Sequence, residues 1–173
     1  MNLSKHAISA MLALLIIANI MLLINLGSMD EQLAASGKNT GILHFELAGS
    51  TANANRIMQA WGDASVETVA RNSIWLDFAF LLAYPILLAL SCWLLAADAS
   101  IAMAKLGIWL GYSVLACAPL DAFENIGMLH MLDHGADYLT VLLTTLCAAI
   151  KWLLALATLL YVIVGLAGKW FRS

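Results

Sequence analysis

The chain reads as an all-α integral membrane protein: a four-transmembrane-helix bundle with a long extracytoplasmic first loop carrying short interfacial helices. Three observations predict this. Hydrophobic residues make up 63% of the 173 residues and charged residues only 11%, a balance outside the soluble globular range. Mean hydropathy is +0.90. The apolar residues also gather in four runs, each long enough at about 1.5 Å per residue to cross about 30 Å of hydrocarbon. Lipid tolerates no unpaired backbone and the runs lack the alternation of barrel strands, so each run is expected to be a helix. The length leaves room for one domain, residues 1–173.

The first run covers residues 7–26. Lys5 ahead of it gives it the look of a secretory signal. Its length of about 20 residues exceeds the roughly 7 to 15 of a signal's apolar region, and no good small-x-small cleavage site follows. It is therefore expected to be retained as a span.

Residues 27–72 form the first loop. The stretch from Gly27 to Gly41 is rich in Gly, Ser, Asn and acids, which predicts an irregular connection. Beyond it, Ser50 or Thr51 is placed to cap a helix that gathers Ala54, Ile57, Met58 and Trp61 on one face. Asp63 or Ser65 is placed to cap a second, with Val66, Val69 and Ala70 together. Both are expected to lie on the outer interface.

The second span is expected over residues 73–97, the third over 101–120 and the fourth over 138–167. Residues 121–137 join the last two on the outer side. The fourth run is about 30 residues long, so it is expected to tilt or project from the bilayer.

Lys5, Lys105, Lys169 and Arg172 fall on one side of this arrangement, whereas residues 121–137 carry no Lys or Arg. The positive-inside rule then sets both termini in the cytoplasm. The expected location is a bacterial inner (plasma) membrane. Trp75 and Trp170 stand at opposite expected interfaces, where aromatic anchors collect.

A net charge of -3 with a pI near 5.7 supplies no basic stripe, so no nucleic acid partner is expected. Cys92, Cys117 and Cys147 all lie in apolar stretches with no close pair. No disulfide or zinc knuckle is expected, and the lack of a Cys-x-x-Cys motif argues against quinone-linked disulfide chemistry.

The informative residues are the polar ones that lipid should exclude, because a charge at mid-bilayer costs at least about 2.5 kcal/mol. Asp77, Tyr84, Ser91 and Asp98 recur every seven residues on the second span, a spacing that keeps them on one side of a helix. Beside them, Pro85 removes one backbone hydrogen bond and predicts a local bend. The fourth span carries Thr140, Thr144, Cys147, Lys151 and Thr158 at helical spacing. Lys151 is the most costly of these, and Asp77 and Asp121 are its natural counter-charges. Gly107 and Gly111 form a small-xxx-small pair leading toward Ala118, Asp121 and Asn125. Asp121 and Glu124 stand three residues apart and so neighbour one another on a helix. Two adjacent carboxylates suit acid–base chemistry, and equally suit a structural pairing with Arg56, Arg71 or Lys151.

His130 and His134, four apart and each followed three residues later by an acid, have a spacing that can hold a divalent metal, with His44 and Glu46 completing the shell. Such pairs also arise by chance, so no metal is expected there.

The stretch from Asp121 to Ile126 is similar over six residues to the glutathione-binding helix of the membrane-associated eicosanoid and glutathione metabolism family. That family surrounds its Asn and Glu with arginines, whereas no Arg or Lys lies between Lys105 and Lys151 here. The sterol isomerase and sigma-2 receptor group is similar only in having four spans with buried acids. Neither resemblance assigns the chain.

The expectation is a polar pocket toward the outer side, formed by Asp77, Tyr84, Asp121, Glu124, Asn125 and Lys151, that receives a membrane lipid or small amphiphile beneath the first loop. Two other classes fit the same residues. One is an accessory subunit meeting a membrane protein partner or a second copy. The other is an intramembrane enzyme using Asp121 and Glu124 as acid and base, with or without a metal at His130 and His134. No cofactor is implied by any motif.

Overall fold

The computed structural model describes residues 5–170, which are helical throughout except for short connections and contain no strand. The side chain of Lys5 and all of Arg172, both counted in the charge asymmetry, lie outside the described side chains. The helices are α1 (Lys5–Ala34), α2 (Ile42–Glu46), α3 (Thr51–Asp63), α4 (Glu67–Ala96), α5 (Ile101–Ser113), α6 (Cys117–His134) and α7 (Tyr138–Trp170). A single 3-10 turn, Val114–Ala116, joins α5 to α6. Among the described residues, four helical stretches are long and apolar enough to cross a membrane: Ser9–Ala34, Glu67–Ala96, Ile101–His134 and Tyr138–Trp170.

Three of the expected boundaries move. The first helix runs on to Ala34, because Asn25 and Gln32 hydrogen-bond carbonyls one turn back and keep the polar residues after residue 26 helical. The third span does not stop at residue 120. It continues as α6 to His134, so Asp121, Glu124 and Asn125 sit inside a long helix and the connection between the third and fourth spans shrinks to residues 135–137. Asp121, Glu124 and Asn125 lower the hydropathy there, but they are buried against other helices and need no water. The second loop helix, expected around Val66 and Ala70, is the first turn of α4. Ser65 does not cap it, having φ 59°, and the N-cap position is Val66 with no side-chain bond.

Within the loop, one of the two expected caps and the shared apolar face of α3 form. The Ser50 hydroxyl accepts from the Asn53 backbone N–H and caps α3, whose buried residues are Ala54, Ile57 and Trp61. Trp61 packs edge-on against Phe45 with ring centroids 4.9 Å apart, and its indole N–H donates to the Thr40 carbonyl at 2.7 Å. Asp30, on the last turns of α1, accepts from the Ile42 backbone N–H at 2.5 Å and so tethers the start of α2. At the same end, Asp137 caps α7 by accepting from the Thr140 hydroxyl and from the Leu139 and Thr140 backbone N–H groups, the latter two at 3.0 Å. The Thr140 hydroxyl first, and then the backbone bonds, hold its carboxyl below the ordinary carboxylate value.

The packing is uneven. The stretch α5–α6, α4 and α7 form a closed three-part core, whereas α1 leans mainly on α4 and leaves most of its length exposed. The molecule has two ends. The loop end gathers α2, α3 and the 135–137 connection around a core that includes Leu33, Phe45, Ile57, Trp61, Ile74, Met128 and Met131. The turn end holds the α4–α5 turn and the last turns of α7, packed through Cys92, Leu95, Leu110 and Tyr161.

Candidate functional site

The costliest side chains come together between the core helices. Lys151 lies about 20 Å along α7 from Tyr138, and it is only 6% exposed. Its ammonium donates to Asp121 Oδ1 at 2.7 Å and Glu124 Oε1 at 2.9 Å, and lies 3.6 Å from Glu46 Oε2. The i, i+3 spacing on α6 is what lets Asp121 and Glu124 reach the same ammonium. Both are buried, as is Asn125.

The network extends through α4. The Tyr84 hydroxyl donates to Asp121 Oδ2 at 3.1 Å. Asn125 Nδ2 donates to Asp77 Oδ2 at 2.8 Å. The seven-residue spacing of Asp77 and Tyr84 therefore faces α6 as one strip. The other two members of that spacing do not join: the Ser91 hydroxyl donates to the Leu87 carbonyl within its own helix, and Asp98 lies exposed beyond the helix end, paired with Lys169 at 2.6 Å.

The structure thus brings together Asp77, Tyr84, Asp121, Glu124, Asn125 and Lys151, and it adds one member. Glu46 had been grouped with the histidines. It is instead turned inward, 8% exposed, ion-paired with Lys151 and accepting from Trp152 Nε1 at 3.1 Å. Burial raises its carboxyl above the ordinary 4.5, against the opposing pull of Lys151. A five-residue helix carries no periodicity that would reveal this turn; the adjacent Phe45, also buried, was the available signal.

Arg56 and Arg71, the other cations expected to compete for these acids, are occupied elsewhere. Arg71 binds Asp133 at 2.6 Å and Glu67 at 3.3 Å, and Arg56 donates to the carbonyls of Lys38 and Asn39. His130 and His134 stack on one another 4.6 Å apart on the exposed face of α6. Their neighbouring acids are engaged, Asp133 by Arg71 and Asp137 at the start of α7. Among the described residues no group of three or more His, Cys, Asp or Glu side chains is placed to hold a metal.

One ammonium faces three carboxylates, with a fourth, Asp77, one amide away. Removing such ions from water costs several kcal/mol each, and a buried pair commonly does no better than an apolar replacement. Stability alone therefore does not account for the cluster. Two of its acceptors remain open: Glu124 Oε2 and Asn125 Oδ1 are buried without a hydrogen-bond partner.

Beside the cluster lies a cleft of about 250 Å³ between α1, α2, α4, α6 and α7. Leu23, Leu26, Ile42, Phe80, Met128 and Trp152 give it apolar walls, while Asp30, Glu46, Ser73, Asp77 and Asn125 give it polar positions. Gly27 opens onto it with nothing near the position a side chain would take. The turn end has a cleft of similar volume, about 250 Å³, whose charged residues are Asp98 and Lys169. No protein-family model, curated protein or solved structure matches the chain.

Proposed function

We propose that this is a membrane protein that binds a lipid or small amphiphile in the cleft at the loop end, with the polar part against Asp77 and Asn125 and the apolar part between α1 and Trp152. The single observation that carries this reading is the coincidence of an apolar-walled cleft with a buried cluster holding unpaired acceptors. Ligand sites are typically apolar concavities with a few convergent polar groups. The volume is below that of a drug-sized pocket, which suits a head group with part of a chain whose remainder follows α1 into lipid. In this reading α2 covers the head group, and the loop end faces the extracytoplasmic side with both termini cytoplasmic. The position of Lys105 and Lys169 near the opposite end supports that orientation. Asp121 and Glu124 are tied to Lys151, which favours binding over acid–base catalysis by this pair.

Gentle extraction followed by native mass spectrometry tests the reading. A bound lipid or amphiphile is expected at about one per chain, with occupancy falling in Asp77→Asn while the protein stays folded. A chain that carries no such molecule and instead runs with a stoichiometric protein partner would replace this reading with that of a subunit.

A further inference from the structure

We infer that the head group taken by the loop-end cleft is a cation, of the protonated-amine class, and not a phosphate. This rests on the binding reading above and specifies its ligand. The polar side chains lining the cleft are three carboxylates, one amide and one hydroxyl: Asp30, Glu46, Asp77, Asn125 and Ser73. No Lys, Arg or His is among its lining residues. Glu46 is already paired with Lys151, but an anionic head would also meet Asp30 and Asp77, neither ion-paired among the described residues, a like-charge juxtaposition that costs several kcal/mol.

Hydrogen-bond accounting points the same way. The Trp152 indole N–H is spent on Glu46, and the Asn125 amide N–H₂ is directed to Asp77. That second bond orients the Asn125 amide and leaves its Oδ1 as a buried acceptor without a donor, in a residue that lines the cleft and is wholly closed to solvent. Asp77, half-buried, has one oxygen bound to Asn125, and its other oxygen takes no protein hydrogen bond among the described residues. The nearby cation, Lys151, is turned away onto Asp121, Glu124 and Glu46. What the cleft lacks is donors carrying positive charge. An alkylammonium supplies up to three N–H donors from a compact head, and its chain fits the walls formed by Leu23, Leu26, Phe80 and Trp152.

The test titrates the whole protein, in nonionic detergent at neutral pH, with three probes of equal chain length: dodecylamine, dodecanol and dodecyl phosphate. Native mass spectrometry reads the bound fraction. Dodecylamine is expected to saturate at one per chain and to bind about tenfold tighter than either of the others, the margin a single charge-assisted contact provides. Asp77→Asn is expected to bring the amine down to the level of the alcohol. Unchanged dodecanol binding in that variant shows that the cleft is intact. Asp98→Asn, a surface carboxylate at the opposite end, is expected to change nothing. Equal binding of amine and alcohol, or preference for the phosphate, overturns the cation assignment while leaving the amphiphile site standing. Failure of all three probes to bind saturably overturns both.

Discussion

The loop end and the turn end of this molecule share the helices α4 and α7 and enclose clefts of similar size, yet they are held by opposite means. At the loop end an ammonium is buried among carboxylates, and the first-loop aromatics Phe45 and Trp61 belong to the apolar core of the same end. At the turn end the charges stay outside: the Lys169 and Asp98 side chains are 49% and 69% exposed. The contact there comes from close approach. A side chain at Gly107 would collide with the Tyr161 ring, and one at Gly111 with Trp93. The Tyr161 hydroxyl in turn donates to the Met103 carbonyl at 3.1 Å. Small residues that let helices approach are a standard way to associate spans in lipid. The turn end is therefore a packing joint, while the loop end carries ions whose burial packing does not require.

The sharpest way to break this contrast is to remove the central cation. Lys151→Met leaves three carboxylates without their counter-charge, and a stability loss of about 3–5 kcal/mol is expected, read as a drop in thermal midpoint in detergent. Glu124→Gln added to the same chain is expected to recover part of that loss, because the two residues are in direct contact. A full-sized loss with no recovery would mean that Lys151 acts through packing.

The corresponding change at the turn end is steric. Gly107→Ala drives a methyl group into Tyr161, and overpacking of this kind costs about 1–3 kcal/mol. The loss is expected to be independent of pH and salt, in contrast to changes around Lys151. Thermal unfolding across a salt series distinguishes the two.

Acidity separates the ends further. Burial raises the Glu46 carboxyl above its ordinary 4.5. Below that pH the folded and unfolded chains both hold the proton. As pH rises, the unfolded chain releases it first, so this contribution to stability is lost progressively up to the raised value of the folded state. Comparing unfolding of the parent with Glu46→Gln between pH 4 and 8 should show the parent losing ground as pH rises. Parallel profiles would place no titration at Glu46. Asp77, Asp121, Glu124 and Lys151 face the same interior and remain in both chains, so the difference reports the Glu46 charge together with its effect on these neighbours.

The smallest effect is expected from Asp98→Asn. Lys169 holds the Asp98 carboxyl below its ordinary value, so its contribution is present above pH 3.8 and fades only as pH falls through the lowered value. Exposed and screened, the pair is expected to leave the melting curve near neutral pH unchanged. A clear shift there would remove the distinction between the two ends.

Much of the site was legible in the residues. Asp77 and Tyr84 seven apart, Asp121 and Glu124 three apart, and a lone lysine far inside an apolar run each marked a polar position that lipid would reject. Helical periodicity is enough to put such residues on a shared face. It does not report where a helix ends when polar residues interrupt the hydropathy, and so the continuation of the third span to His134 was not visible. Nor does it say which side a five-residue helix presents, which hid Glu46.

What the sequence determined by itself was the number and helical nature of the apolar segments, because backbone satisfaction in lipid leaves few alternatives and hydrophobic length measures the span directly. What only the tertiary structure decided was the choice of partners. Lys151 had several acids within reach along the chain, and Arg56 and Arg71 competed for the same carboxylates. The geometry of three packed helices, with α2 held in place by Asp30, brought Asp121, Glu124 and Glu46 to one ammonium. An ion pair forms over a few ångströms, and separations of that size between distant segments are set by packing, not by spacing along the chain.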